Sequence, residues 1–205
     1  MKSAEHTIQP RGVTWAFFLH LLFACVFMLL AALSYWPEPE LAFRTDESPI
    51  AWLSSAQMWA LAVLSLYLWQ ERQLPASLGG LLCCGMMFMA FDEQFMWHEH
   101  WKHSCASWTA ACRYELVREL PMLAVAAGGL LVLTLLWRIV AGRLGKGFLC
   151  GAILLGWFAL FLRFTQQPAA LLPYKAALLV LAQALFMGLL FNLRQQSRHA
   201  QVHSS

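Results

Sequence analysis

The sequence predicts an all-α integral membrane protein, a single transmembrane domain (1–205) built as a bundle of about six helices. Of its 205 residues, 60% are hydrophobic and only 12% are charged, whereas a soluble domain has about 45–50% apolar and about 25% charged residues. The mean hydropathy is +0.57, and six apolar runs approach the roughly 20 residues that one membrane span needs. This composition excludes a soluble globular domain, a disordered chain, a coiled coil and a secreted disulfide scaffold.

The apolar runs define the expected spans, which lie in chain order near residues 15–35, 50–69, 76–97, 116–137, 148–164 and 170–193. The first run is longer than the about 7–15 residues of a signal-peptide core, and no small-x-small cleavage site follows it, so we expect it to be retained as a span. Pro121 lies inside the first turns of the fourth run, where we expect a kink. Tryptophans favour the headgroup level, and they flank the runs at Trp15, Trp36, Trp52, Trp69, Trp97 and Trp137.

The basic residues set the expected orientation. With a cytoplasmic N-terminus, eight of the 14 Lys and Arg residues fall on the inner side and six on the outer side. The connection after the fourth run carries the strongest part of this bias, Arg138, Arg143 and Lys146. Nine of the 11 acidic residues then fall outside. Because inner loops are enriched in Lys and Arg, we expect both termini in the cytoplasm and the chain in the plasma (bacterial inner) membrane.

One segment, 92–103, carries the candidate chemistry, and it reads D-E-Q-F-M-W-H-E-H-W-K-H. Asp92 and Glu93 lie at the outer end of the third run. Carboxylates in a membrane are costly and are functional candidates by default, so we predict both as catalytic acid–base residues. If the helix continues past Trp97, Glu99 lies within about 20° of Asp92 around the axis, and His98 points away from both acids.

The remaining residues of this segment, 98–103, predict a metal site. Glu99 and His103 are separated by four residues, so on a helix they can clasp one ion, Zn or Fe. Further ligands are expected from His100, or from Glu115 and Glu119 at the start of the fourth run. The zinc-protease pattern H-E-x-x-H fails, because residue 102 is Lys102.

The competing interpretation of these acids and histidines is structural. Asp92 paired with Arg118 or Arg163 would be an ion pair without chemistry, and the histidines would face headgroups. His20 and Gln183, each alone on an apolar run, are expected to be packing residues rather than ligands.

The six cysteines divide by location. Four lie in apolar runs, where cysteine behaves as a small hydrophobic residue. Cys105 and Cys112 lie in the one sizeable polar loop, on the expected outer side, where an oxidising compartment would allow a disulfide. The sequence does not decide whether this pair forms a disulfide or remains as two free thiols.

The stretch from Phe91 to Glu99 resembles the D-E-x-x-x-x-H-E segment found at a span end in uncharacterised bacterial multi-pass membrane proteins, over about eight residues. That resemblance implies a multi-pass fold and no particular activity. The plan of a few spans with acids and histidines at one face is also similar to the alkaline ceramidase and progestin-receptor-like hydrolases. Their late H-x-x-x-H pair is missing here, because the sixth run has no histidine, so no ligands are carried over.

Three functions remain open from the sequence. The first is a metal-dependent enzyme, a hydrolase, in which a metal activates water and a membrane-embedded acid transfers protons on a lipid or another amphiphile. The second is a non-enzymatic subunit or assembly factor that binds a membrane-protein partner. The third is a proton- or cation-coupled carrier that uses Asp92 and Glu93. The basic residues form no stripe suited to nucleic acid, so no nucleic-acid partner is expected.

Overall fold

The computed structural model describes residues 11–44, 48–164 and 172–202, and within these ranges the chain is all-α. The helices are α1 (Arg11–Ser34), α2 (Leu41–Arg44), α3 (Pro49–Gln70), α4 (Ala76–Phe95), α5 (Trp97–Trp108), a 3₁₀ turn (Ala110–Arg113), α6 (Glu115–Arg118), α7 (Leu120–Ile139), α8 (Arg143–Phe164) and α9 (Leu172–Val202).

Five of the described helices are long and apolar enough to cross a membrane, which agrees with the predicted all-α membrane fold. They cover Trp15–Ser34, Pro49–Gln70, Ala76–Phe95, Leu120–Ile139 and Tyr174–Gln196. The expected span near 148–164 falls within α8, a helix of 22 residues. Helix α9 continues to Val202, nine residues past the predicted end at 193, and residues 170–171 of that expected span lie outside the described ranges.

Helix α9 is the centre of the bundle. It forms one hairpin-like pair with α8 and also packs against α1 and α3, while α3 pairs with α4 and α4 with α7. Val180, Ala184 and Leu190 of α9 are fully buried. Gly188 permits the close approach, because a Cβ there would lie 2.8 Å from the ring of Phe17 on α1. Such contacts from small residues are the usual basis of helix packing in lipid.

Polar pairs link the helices inside the bundle. The His20 ring on α1 lies 3.2 Å from the amide of Gln57 on α3. The Gln183 amide on α9 donates to the Ser54 hydroxyl on α3 at 2.9 Å, and the Ser55 hydroxyl donates to a carbonyl of α4. His20 and Gln183 therefore tie helices together through partners that the sequence pattern did not reveal.

The fourth predicted span begins later than expected. The run from 116 is divided into the single turn α6, a turn at Glu119, and α7 from Leu120. Pro121 lies in the first turn of α7 rather than inside a helix. First-turn N–H groups have no intrahelical acceptor, so this proline is tolerated at the start of α7, and the disruption predicted near it takes the form of the break at Glu119.

Candidate functional site

A break in the chain at Met96 shapes the candidate site. Helix α4 ends at Phe95, Met96 takes the left-handed conformation at φ 50°, and α5 begins at Trp97. The condition under which the faces of this segment were assigned, one helix that continues past Trp97, is therefore not met. A left-handed non-glycine residue costs about 1–3 kcal/mol and persists where its surroundings fix it.

Asp92 supplies one of the contacts that fix this break. Its backbone carbonyl accepts from the Met96 N–H at 2.8 Å, which closes α4. Its carboxylate Oδ1 accepts from the His98 N–H at 2.8 Å. The first N–H groups of a helix lack intrahelical partners, so Asp92 caps α5 from the end of α4. Asp92 therefore links α4 to α5 and fixes the backbone position of His98.

The His98 ring lies between two carboxylates. Its Nδ1 is 2.8 Å from Asp92 Oδ2, and its Nε2 is 3.3 Å from Glu99 Oε1. The Nδ1 contact is close but is not aligned as a hydrogen bond. The prediction that His98 points away from the acids was wrong, because it assumed a continuous helix; the break turns His98 back toward Asp92.

Asp92, His98, Glu99 and His103 form a line of consecutive contacts, and Glu99 is its third member. Its second oxygen, Oε2, lies 3.8 Å from His103 Nε2, as the four-residue spacing predicts. The side chains become steadily more exposed along the line, at 14% for Asp92, 18% for His98, 40% for Glu99 and 82% for His103. Four titratable groups therefore connect a mostly buried carboxylate with the surface of the protein.

Several contacts hold α5 against the 3₁₀ turn, α6 and the turn residue Glu119 that precedes α7. Lys102 Nζ lies 2.9 Å from Glu119 Oε1, and the Trp101 indole donates to the Val117 carbonyl at 3.3 Å. Cys105 and Cys112 form a disulfide across a Cα–Cα distance of 5.6 Å. Of the two states left open for these cysteines, the structure has the disulfide, and both residues are buried.

The other expected site residues lie elsewhere or outside the described side chains. His100 is exposed, and its ring Nδ1 is 3.0 Å from the carbonyl of Met96, the residue between α4 and α5. Glu119 is occupied by Lys102. Glu93 is half-buried and has interactions of its own. The side chain of Glu115 is outside the described set.

The expected structural ion pair takes a different form. Asp92 faces His98, while Arg118 is exposed and makes no ion pair with Asp92 among the described side chains. The side chain of Arg163, the other expected partner, lies outside the described set. The partner of Asp92 is therefore the imidazole of His98, and not the guanidinium of an arginine.

The arrangement fits a metal only in part. Two ligand atoms on one tetrahedral zinc ion lie about 3.4 Å apart, so Glu99 and His103 could close on an ion after a small rotation. Within the described residues, no group of three His, Cys, Asp or Glu side chains is placed to hold a metal. The described geometry also brings the His98 ring beside the carboxylates of Asp92 and Glu99, and such groups can exchange protons.

Comparison with known proteins adds no functional assignment. No protein family, no curated protein and no solved structure matches the chain.

Proposed function

We propose that the chain is a six-span protein of the plasma (bacterial inner) membrane with both termini in the cytoplasm. Five helices of spanning length support this, and α8 supplies the sixth. The excess of Lys and Arg on the N-terminal side, eight against six, supports the orientation. The α4–α5 junction and its titratable line then lie at the outer surface.

In this proposal the outer site belongs to an acid–base enzyme that hydrolyses a lipid or another amphiphile. The observation that carries it is the His98 ring held between the carboxylates of Asp92 and Glu99 at 2.8 and 3.3 Å. A carboxylate on one ring nitrogen fixes the orientation of an imidazole, and the other nitrogen is then directed at its proton-transfer partner. Asp92 positions His98 by accepting its backbone N–H and by the 2.8 Å contact of its Oδ2 with the ring Nδ1, and His98 Nε2 is the working nitrogen.

In the proposed hydrolysis, His98 first accepts a proton from water and then returns it to the leaving group. A water molecule placed beside His98 Nε2 gives its proton to the ring as its oxygen forms a bond to the substrate carbonyl or phosphoryl centre. The bond to the leaving-group oxygen breaks, and that oxygen takes the proton from His98. Glu99 is 40% exposed, so its carboxylate can swing aside to admit the water.

A metal is not needed for any of these steps. If the protein binds one, Glu99 and His103 would hold it, and it would supply a Lewis acid. The steps use only the His98 ring and the carboxylates beside it.

The test is hydrolysis by the protein reconstituted in phospholipid vesicles, with a panel of fluorogenic ester and phosphoester amphiphiles. We expect His98→Gln to lower kcat by about 10²–10⁴, the usual contribution of a general acid–base residue. His100→Gln is the matched control, because His100 lies on the same helix but its ring contacts the Met96 carbonyl and neither carboxylate. Full activity in His98→Gln contradicts the assignment, and no turnover of any panel member by the wild type contradicts the enzyme proposal.

A second candidate function is a subunit or assembly factor, and one observation favours it. Helix α7 has a single buried residue, Leu136. A side chain at Gly128 or Gly129 would meet nothing within 4 Å among the described residues. Small residues allow close helix contacts in lipid, so this face suits a partner helix.

Co-purification in a mild detergent tests that alternative. We expect Gly128→Leu with Gly129→Leu to remove a stoichiometric partner protein. Gly85→Leu on α4 is the matched control, because its position also opens on free space. Isolation of the wild type as a lone species would count against the subunit function.

A further inference from the structure

Helix α5 has two opposite faces. At about 100° per residue, Trp97, Trp101 and Trp108 fall within about 40° of one another. His98, Lys102, Glu99 and His103 occupy an arc of about 140° on the far side. A short helix with tryptophans on one face and charges on the other is typical of a segment that lies in the plane of a membrane surface.

The tryptophan face is a continuous row of rings. Trp97 and Trp101 have centroids 6.1 Å apart, and Trp108 meets Trp101 edge-on at 5.9 Å. At the start of the row, Trp97 meets Phe88 of α4 edge-on at 5.6 Å. Phe88 lies seven residues before the end of α4, about 10 Å back along that helix. The row of rings therefore extends from α5 onto the side of α4, which is long enough to cross a membrane.

The rings at both ends of the row are open to their surroundings. Trp97 is 48% exposed and Trp108 is 69% exposed, and Phe95 at the end of α4 is 61% exposed. Large apolar groups exposed directly beside the end of a membrane span lie at the level where indoles prefer to settle, with the ring in the apolar layer and the N–H toward the headgroups.

From these observations we infer that α5 is seated in the outer phospholipid interface through its tryptophan face. The surface continues from α4, which crosses the membrane in the proposed function, and one residue, Met96, separates the two helices. The inference rests on that span and not on catalysis.

This seating determines the substrate class of the site. With the indoles in the lipid, His98 and Glu99 face away from the acyl chains and toward headgroups and outer water. The reacting bond of the substrate then lies in the polar headgroup of an amphiphile, and not at a position along its acyl chain. Disulfide-linked Cys105 and Cys112 and the Lys102–Glu119 pair hold α5 in that position.

Tryptophan fluorescence in vesicles tests the inference. The protein is reconstituted in phosphatidylcholine, and separately in phosphatidylcholine brominated near the top of the acyl chains. The intensity contributed by the row is the difference between wild type and the double variant Trp97→Phe/Trp108→Phe. We expect that difference to fall by at least twofold in brominated vesicles, and to be protected from iodide in the aqueous phase.

The reference variant is Trp59→Phe, which removes an indole from the middle of α3 that is 37% exposed. If the row is quenched by iodide and not by bromine while Trp59 is quenched by bromine, α5 stands off the membrane and the inference is overturned, although the spans are supported. If bromine quenches neither, the membrane assignment in the proposed function fails as well. Should the double variant fail to fold, the single variants measure each ring separately.

Discussion

At the scale of single residues, Asp92 has two separable roles. Its carboxylate accepts the His98 N–H and so caps α5, and it also faces the His98 ring. A cap needs only an oxygen acceptor, whereas orienting an imidazole that carries a proton needs the negative charge. Substitutions that keep the oxygen but remove the charge can therefore separate stability from activity.

We expect Asp92→Asn to keep the free energy of unfolding close to that of the wild type, because an amide oxygen can still accept the His98 N–H. Asp92→Ala should lose about 0.5–2 kcal/mol, the usual contribution of a side-chain cap. Both variants should lose hydrolytic activity. Denaturant titration in detergent micelles, with turnover measured in parallel, gives the two readouts. Equal stability of the two variants would show that Asp92 is not a cap.

The pair Glu99 and His103 leads to a second prediction at this scale. Two ligands at 3.8 Å should bind Zn²⁺ weakly, because a closed zinc site uses four ligands. Calorimetry should show one site that dialysis against a chelator empties, absent from Glu99→Ala/His103→Ala and intact in His100→Ala. Elemental analysis that finds stoichiometric zinc after dialysis would contradict the two-ligand description.

At the scale of elements, the apolar runs predicted where long helices lie, because a span must be long and apolar. The observed α1 and α3 begin and end close to the predicted bounds. The break at Met96 could not be predicted from the sequence. Glycine or asparagine usually marks a left-handed helix end, and methionine has no such preference. The break is instead accompanied by a tertiary contact, in which the Asp92 carboxylate caps α5 at the His98 N–H, six residues later in the chain.

That single missed break accounts for most of the error in the predicted site. With a continuous helix, His98 was assigned to the wrong face, and the spacing of Glu99 and His103 was right because both lie within α5. Asp92 was singled out because an acid near the membrane is costly whatever its partner is, and it lies at this break, where it accepts the His98 N–H. Tertiary contacts, such as Lys102 with Glu119, join segments whose register a sequence pattern does not fix.

The contact between α3 and α4 also leads to a prediction. A Cβ at Gly79 would lie 2.6 Å from Trp69 Cβ, whereas one at Gly80 would meet nothing within 4 Å. Gly79→Ala should therefore destabilise the protein by about 1–3 kcal/mol, the usual cost of overpacking, while Gly80→Ala should be neutral or slightly stabilising. The free energy of unfolding in micelles measures both. Equal values for the two variants would contradict the close packing of this hairpin.

At the scale of the whole molecule, the direction of the chain across the membrane decides which compartment the site faces. The connection between α7 and α8 (140–142) and the polar segment that contains α5 and α6 lie at opposite ends of α7. Arg138, Arg143 and Lys146 surround the first of these ends, and positive charge is retained on the cytoplasmic side. The acids and histidines of 92–103 would then meet the outer phase, where a disulfide is stable.

Reporter fusions test this orientation. We expect an alkaline phosphatase reporter to be active when fused after Thr109, between α5 and the 3₁₀ turn, and inactive after Gly142, where a green fluorescent reporter should instead be bright. Substituting Arg138, Arg143 and Lys146 with glutamine should weaken the preference, because these residues are the main contribution to an otherwise small bias of eight against six. The reverse pattern in the unsubstituted protein would place His98 and the disulfide toward a reducing cytoplasm. The proton path proposed for His98 would then serve an inner-leaflet substrate, and the outer-surface assignment would be wrong.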